Sequence, residues 1–557
     1  MAPPFLRIGS WPLGVQTLGA LLAVTALAAS YAIQTAKYSV YHDELWNHPQ
    51  AVALLNGRSW VAAYEVRLLG QSFPLVSGPY QGAIKSYLLV PWIGVFGTNP
   101  WSLRLFNVLL AVAVLVTLRW ALQAVVGQRL IWLAFAAPWL FPALLTYAPT
   151  DQGPVLLTLA FSSLSLGAVA RYLQEPDVRW VALALAGSSL VLSDKITAFP
   201  LAMAGYAATA LAALRWGHLR HLVSPQALAG ASIPLLPWAL YFALHGFSET
   251  LGYVANSTSI STWQRLRHQW VWIVETLGGG HMVGLGHQAV PPMPLWLPWL
   301  ALPCALFVAV LAAVGKAKSA QLLARINAVF FAAFAVAYVT SALIPGLYRP
   351  WHFVPFLPVV ALLSSASLAS LLRLTRGFLH KTLLWVLTGF AAHDATQAVQ
   401  GLWFLRQGEG ANLTSPALYE VAAHLQRERI ATIVCLNYSL CNPLFVLSGG
   451  QLSFVETTWW PANPTSWQQI VERLQTPRTA LVWRVPSPHV GQPAEAQGLL
   501  EKVLWAEKMQ ETLGPRLSCV RFPDAAGTQF VVGQLATSGR TERGPDSPAS
   551  QGPCPGR

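Results

Sequence analysis

The chain has 557 residues, 54% of them hydrophobic and only 10% charged, where a soluble protein carries about 25% charged residues. Uncharged runs of membrane-span length recur up to about residue 405, which excludes a soluble globular enzyme and indicates many transmembrane helices. The net charge of +13 does not mark a nucleic-acid binder, because Lys and Arg are scattered at the ends of apolar runs rather than gathered on one face; it reads as orientation signal and contact with anionic membrane lipids.

The first apolar run, Gly9 to Ala36, carries no charge. Ala26-Leu27-Ala28 resembles a signal cleavage site, but signal h-regions run only about 7–15 residues, so a first span over 13–33 is expected. A polar and aromatic stretch follows to residue 101, the first outer loop (34–101). Within it Ala83 to Gly97 is apolar but short, and is broken by Lys85 and Pro91. If this segment lies at the interface as a juxtamembrane helix, the remaining spans fall near 102–124, 130–148, 153–170, 180–193, 196–214, 227–245, 294–314, 326–344, 352–372 and 382–402. With the N-terminus inside, one set of turns then holds Arg119, Arg129, Arg171, Arg179, Arg215, Arg220, Lys316, Lys318, Arg325, Arg373, Arg376 and Lys381. That matches the positive-inside bias. The opposite turns hold Asp151, Lys195, a second long loop (246–292) and Arg349.

The sequence therefore predicts an α-helical polytopic membrane protein of about eleven spans over residues 1–405. An extracytoplasmic α/β domain is expected over 406–537 and a disordered tail over 538–557. Ile430–Leu436, Ala480–Val485 and Gln529–Leu535 have the composition of buried strands; stretches near 416–428, 465–475 and 494–513 have helical periodicity. Cys435, Cys441 and Cys519 fall in this domain and Cys554 in the tail. A disulfide is permitted there, though sequence does not choose the pairing.

Acidic residues are scarce, so their positions inform. Asp43 and Glu44 follow the first span and are bracketed by Tyr41, His42, Trp46 and His48. Acids at a helix start are ordinary; here the pair sits where a lipid-linked substrate would arrive, and a carboxylate could take a proton from an attacking hydroxyl or amine. Asp151, in Thr150-Asp151-Gln152, is either an N-cap for the next span or a second carboxylate of the same site, for acid–base work, acceptor binding or a shared metal. Lys195, Arg349, Arg265 and Arg267 lie on the face that the charge bias disfavours for bases. They are either snorkelling cations or contacts for a phosphate at the lipid–water boundary. Asp394, beside His393, is an acid within the last span and a functional candidate by position. The tryptophans of the long loop read most simply as an interfacial belt. No cysteine or histidine group has zinc spacing.

Four stretches together resemble the GT-C membrane glycosyltransferases, in particular the protein O-mannosyltransferase-like group and its cousin, the bacterial lipid A aminoarabinose transferases. They are Asp43-Glu44; Gly78-Pro79-Tyr80-Gln81-Gly82-Ala83 running to Phe96-Gly97 and Ser102-Leu103-Arg104-Leu105; Thr150-Asp151 with Lys195-Ile196-Thr197-Ala198; and Tyr348-Arg349-Pro350-Trp351-His352. The resemblance covers roughly residues 10–372. It implies inverting transfer of a sugar from polyprenyl phosphate to a glycolipid, protein or glycan acceptor outside the cytoplasmic membrane. Asp43 would be the base with Glu44 beside it, and Asp151 the second carboxylate. Lys195 and Arg349 would face the lipid phosphate. Apart from the resemblance, Arg265 and Arg267 are phosphate candidates by charge and face, and His42, Tyr80, His352 and Asp394 are further candidates. Where the aminoarabinose transferases have a Lys-Pro pair before the juxtamembrane helix, this chain has Gln81-Gly82, which puts one phosphate contact and the aminoarabinose donor in question. The metal-holding DxD motif of some members is absent, so no cofactor is assigned and a divalent metal stays open. Two other classes compete: a flippase of lipid-linked glycans, against which stands the lack of internal repeats, and a non-catalytic assembly protein.

Overall fold

The structure is a computed structural model that describes residues 13–40, 44–58, 64–78, 80–126, 142–151, 155–255, 261–277, 318–344, 350–374, 377–407, 415–436, 440–456, 467–485, 517–523, 529–535 and 551–553. Within these, helices fall on nine of the eleven expected spans. The expected span 294–314, the helix 494–513 and most of the span 130–148 lie outside the described residues.

Helix α1 (Leu13–Lys37) is followed by α2 (His48–Leu55), a hairpin of β1 (Tyr64–Leu68) and β2 (Gln71–Gly78), the two-residue β3 (Gln81–Gly82) and α3 (Ile84–Phe96). Helix α3 occupies the segment expected to be juxtamembrane. At 13 residues it rises about 20 Å, short of the roughly 30 Å of hydrocarbon. The bundle continues with α4 (Pro100–Val126), α5 (Pro142–Tyr147), α6 (Leu156–Gln174), α7 (Val178–Asp194), α8 (Phe199–Arg215), α9 (Pro225–Ser232) and α10 (Leu236–His245). Then come α11 (Ser248–Ala255), α12 (Thr262–Leu277), α13 (Lys318–Leu343), α14 (Leu357–Leu374) and α15 (Gly377–Gln407). Among the described residues six segments are long and apolar enough to cross a membrane, and the chain is a multi-pass membrane protein.

Burial ranks these helices. The apolar window of α14 is 94% buried and that of the α9–α10 segment 17%, which sets α14 at the centre and α9–α10 at the lipid-facing edge. Where α6, α7 and α8 meet, small residues let the backbones close, as is usual between membrane helices. Ser165 Oγ lies 2.9 Å from Ser188 Oγ, and both reach the Ala184 carbonyl.

The helices alternate in direction, so the C-termini of α1 and α7 and the N-termini of α4, α6 and α8 gather at one end, under α2, α3 and the hairpin. The other end holds cations: Arg171 lies over the Trp120 ring and Arg325 over Trp216.

After α15 the chain builds a six-stranded mixed sheet, ordered β5-β4-β6-β8-β7-β9. Its strands are β4 (Thr432–Cys435), β5 (Ser453–Glu456), β6 (Thr479–Val485), β7 (Leu517–Pro523), β8 (Gln529–Leu535) and β9 (Gln551–Pro553). Strands β5, β4 and β6 are parallel and the rest antiparallel. Alternation along β4 sends Ile433 and Cys435 to a core with α16 (Ala417–Arg427) and α17 (Cys441–Leu447), and Val434 to one with α18 (Trp467–Leu474). Helices thus cover both faces, as α/β layering requires. Cys435 and Cys441 form a disulfide. Composition marks 538–557 as a tail, yet Gln551–Pro553 pairs with β7 as the sheet's edge strand. The edge tolerates Pro553 because a proline there costs no inner ladder bond.

Candidate active site

Two buried ion pairs frame the end of the bundle where the acidic candidates gather. In the first, Arg104 on the opening turn of α4 grips Glu44 in a fork, Nε to Oε1 at 2.9 Å and Nη2 to Oε2 at 3.0 Å. Both side chains are fully buried. The remaining guanidinium protons go to backbone: Nη1 donates to the Gln34 and Tyr38 carbonyls at 2.6 and 2.8 Å, and Nη2 to Ser39 O at 2.8 Å. All five Arg donors are used, four of the five bonds fixing the chain between the end of α1 and Glu44. Glu44 is an anchor in this geometry: both its oxygens face a permanent cation. Asp43 and His42 themselves lie outside the described residues.

In the second pair, Lys85 Nζ on α3 reaches Asp151 Oδ2 at 2.6 Å, with side chains 1% and 0% exposed. Asp151 Oδ1 accepts the Val155 and Leu156 amides at 2.8 and 2.9 Å, capping α6, which begins at Leu156. Asp151 is thus an N-cap and, with its other oxygen, the partner of a buried cation. Its backbone sits at φ 41°, a left-handed conformation that Asp tolerates better than most residues. Lys85 gives Asp151 one of its three N–H donors, and the described residues claim no other.

Lys195 is drawn to the same place by backbone pairing. It forms an isolated bridge with Gln81, and the Ile196 amide donates to Tyr80 O at 2.9 Å. Gly82 lies so close to the α7 terminus that a Cβ would run into the Ser193 carbonyl; only glycine lets the first loop seat there. The Lys195 side chain is buried. Asp194, with Oδ2 on the Thr158 hydroxyl at 2.8 Å, is within electrostatic range of Asp151, Lys195 and Lys85.

A buried polar seam runs through the first loop beside these groups. Asn47 Nδ2 donates to Ser77 Oγ, Gly82 O and Ser86 Oγ. Gln81 Nε2 donates to Asn47 Oδ1 at 3.0 Å, and Gln50 Oε1 accepts from Ser77 and Ser86. The Trp46 and Tyr80 rings meet at a tilt of 39°, with centroids 5.4 Å apart. His48, fully buried, finds no hydrogen-bond partner for either ring nitrogen among the described residues; burial, reinforced by the Lys85 charge, holds its pKa well below the usual histidine range.

The structure therefore brings together Tyr80, Asp151 and Lys195, while Glu44 belongs to the separate pair with Arg104. The basic residues of the long loop are placed elsewhere by the contacts seen among the described residues. Arg265, on α12, donates from Nε to Ala342 O at 2.7 Å and from Nη2 to Thr262 Oγ1, bracing the end of α13, and Arg267 is exposed. Arg349 is outside the described residues; His352 falls in a short 3-10 turn, Pro350–Phe356, and its side chain is not described. Asp394 is buried within α15 and contacts His393 Nδ1 at 3.1 Å. Among the described residues no group of three or more His, Cys, Asp or Glu is placed to hold a metal ion. Sequence reasoning passed over Lys85, which it took as an interruption of an apolar run, and gave no role to Arg104, Asn47 or Gln50.

No family model matches the chain, and no curated protein does. Solved structures do. ArnT from Cupriavidus metallidurans matches in its apo state with a TM-score of 0.57 at 13% identity, over 94% of this chain and 98% of that one. The same transferase bound to undecaprenyl phosphate matches with a TM-score of 0.58 at 12% identity, over 95% and 99%. The chain has the GT-C fold. The oligosaccharyltransferase of Archaeoglobus fulgidus also matches, at a TM-score of 0.46 and 12% identity over 92% of this chain and 73% of its own, a likeness too weak to argue from. Within the GT-C frame the match extends past the bundle, since nearly the full length of both chains aligns. At such low identity the likeness speaks for the fold alone.

Proposed function

We propose that this protein is an inverting glycosyltransferase that moves a sugar from a polyprenyl-phosphate carrier to an acceptor on the outer face of the cytoplasmic membrane. The observation that carries the reading is the buried Lys85–Asp151 pair at the end of a GT-C bundle. Its unclaimed ammonium protons suit a phosphate, and the fold is shared with a transferase whose structure holds undecaprenyl phosphate. Lys85 stands close in sequence to Gln81-Gly82, where the aminoarabinose transferases would carry a Lys-Pro pair, so the chain keeps a cation on this wall. Lys195 and Arg349 are the further phosphate candidates.

The chemistry asks little of the protein. An acceptor hydroxyl or amine attacks the anomeric carbon, the bond to the phosphate oxygen breaks, and polyprenyl phosphate leaves with the electron pair. Phosphate is a stable anion and needs no proton. The acceptor's proton goes to a base, for which Asp43 is the candidate, and fixed cations stabilise the negative charge that develops on the leaving group. Glu44, committed to Arg104, and Asp151, committed to Lys85 and the α6 amides, hold the geometry. The acceptor belongs to the glycolipid, protein or glycan class. The sugar is a hexose or a pentose, with a mannosyl donor favoured by the resemblance to the O-mannosyltransferase group.

Two observations support the orientation. Arginines ring the opposite end of the bundle, as expected of a cytoplasmic face. The Cys435–Cys441 disulfide lies in the domain docked at the site's end, and disulfides persist in oxidising compartments.

Purified protein given a radiolabelled polyprenyl-phosphate sugar and a membrane extract as acceptor should release free polyprenyl phosphate and label the acceptor. Asp43→Asn should abolish both while leaving the protein folded. Undiminished transfer in Asp43→Asn would sink the assignment of the base, and lipid translocation without transfer would favour a flippase. Gln71→Cys, at an exposed position of the same loop, should react with an impermeant thiol reagent in intact cells; reaction only after lysis would reverse the orientation.

A further inference from the structure

The soluble domain touches the membrane domain at the backbone that feeds the candidate base. Residues Tyr38–Val40 run from the end of α1 to the Asp43-Glu44 pair. Ser39 and Val40 are fully buried and Tyr38 nearly so. From the membrane side Arg104 holds the Tyr38 and Ser39 carbonyls. From the other side comes Tyr419, on the first turn of α16 in the soluble domain. Its hydroxyl accepts the Val40 amide at 3.1 Å and donates to the Tyr38 carbonyl at 3.4 Å. Burial pushes this phenol up to about 12, so it keeps the proton it donates. The Tyr38 hydroxyl in turn donates to Leu405 O at 2.9 Å, near the end of α15, the helix that leads into the domain.

A second contact fixes the domain at a distance from the first. Asn56 Nδ2 and Arg58 Nη1, just past α2, donate to the Gly449 and Gly450 carbonyls at 3.1 and 2.7 Å. Gly450 presses on Val52 and Asn56 so closely that a Cβ would lie 2.6 Å from each. Two separated attachments, one on each flank of Glu44, prevent the domain from pivoting about either. A domain needed only to bind a distant partner has no use for a hydroxyl placed between two backbone groups three residues before the candidate base.

We propose that the soluble domain is a positioning element of the transfer site, with the Tyr419 hydroxyl fixing the Tyr38–Val40 backbone that leads into Asp43. This rests on the glycosyl-transfer reading above. Tyr419→Phe keeps the ring packing and deletes both hydrogen bonds. In the full-length protein, amide exchange at Val40 should then accelerate about tenfold, the loss of roughly one hydrogen bond. Loosening the base's approach acts on turnover rather than on donor binding, so kcat should fall about ten- to a hundredfold with KM for the polyprenyl-phosphate sugar within twofold. An unchanged kcat overturns the proposal. So does a fall in kcat that merely follows a lower thermal midpoint with Val40 exchange unaltered, which is what a purely structural tyrosine would give. If the wild-type protein transfers no sugar, the transfer reading falls by itself. The mechanical link is then judged by exchange alone: faster at Val40 upholds it, unchanged overturns it.

Discussion

Replacing Arg104 with methionine tests how the first loop is held. The substitution keeps an unbranched stem and removes the guanidinium, so Glu44 stays buried with no counter-charge, the Ser39 carbonyl loses its donor, and the Gln34 and Tyr38 carbonyls each lose one, keeping only the Tyr38 amide and the Tyr419 hydroxyl respectively. Breaking a buried ion pair from one side costs about 3–5 kcal/mol. Each abandoned carbonyl adds about 1–3 kcal/mol unless the loop shifts to water, and shifting is what would misplace Asp43. Against a typical total stability of about 5–15 kcal/mol, Arg104→Met alone should lower the thermal midpoint in detergent markedly and abolish transfer. The double variant Arg104→Met/Glu44→Leu separates the two consequences. Removing both charges relieves the desolvation penalty, and such replacements are often neutral or stabilising. Thermal stability should therefore recover by at least half, giving a coupling energy of about 2 kcal/mol or more in a double-mutant cycle, while transfer stays lost because Ser39 O is still unheld and Tyr38 O keeps only the 3.4 Å bond from Tyr419. A single variant as stable as wild type, or a double variant no more stable than the single, refutes the reasoning.

Three further outcomes follow from the geometry. Lys85→Met should raise KM for the polyprenyl-phosphate donor about tenfold or more, the loss of one charge-assisted contact to an anion, whereas Arg267→Met, at an exposed position, should leave KM within twofold; steady-state kinetics decides. Gly82→Ala should block the seating of the first loop on the Ser193 carbonyl and give protein that elutes heterogeneously in size-exclusion chromatography. Because His48 is held neutral in the folded state, the unfolded chain binds more protons at pH below about 6.5. Stability should therefore rise with pH up to that point and level off above it. His48→Gln should flatten the slope when melting is followed from pH 5 to 7.

What the sequence made legible follows from range. Helix α3 could be placed because its length and Pro91 are local facts, and the strands at 432–435, 479–485 and 529–535 because charge-poor runs are. Strand β5 is only four residues long, and β7 carries an arginine and an exposed serine among its apolar positions, so neither has a periodic signature. Gln551-Gly552-Pro553 has poor strand propensity; its pairing is imposed by the free edge of β7. At the site, acid scarcity pointed to Glu44 and Asp151, but their partners lie 60 and 66 residues away. Nothing in a local pattern distinguishes Lys85 from a lysine that snorkels, or Arg104 from one that anchors a helix end. Arg265 is another case of range: its bond to the Ala342 carbonyl spans 77 residues, which no local pattern announces.

The bridge between Gln81 and Lys195 also sets a timetable for biosynthesis. The first loop leaves the ribosome early, carrying Glu44, Gln81 and Lys85 with nothing to dock against. Glu44 meets its partner when α4 is made, Lys85 when Asp151 arrives, and Gln81 only after α7 is complete, more than a hundred residues later. At about 5–20 residues per second the loop waits on the order of 6–20 seconds, water-exposed and open to proteases or to a chaperone. A nascent chain stalled before residue 195 should keep this loop cleavable, and one stalled after α8 has cleared should protect it.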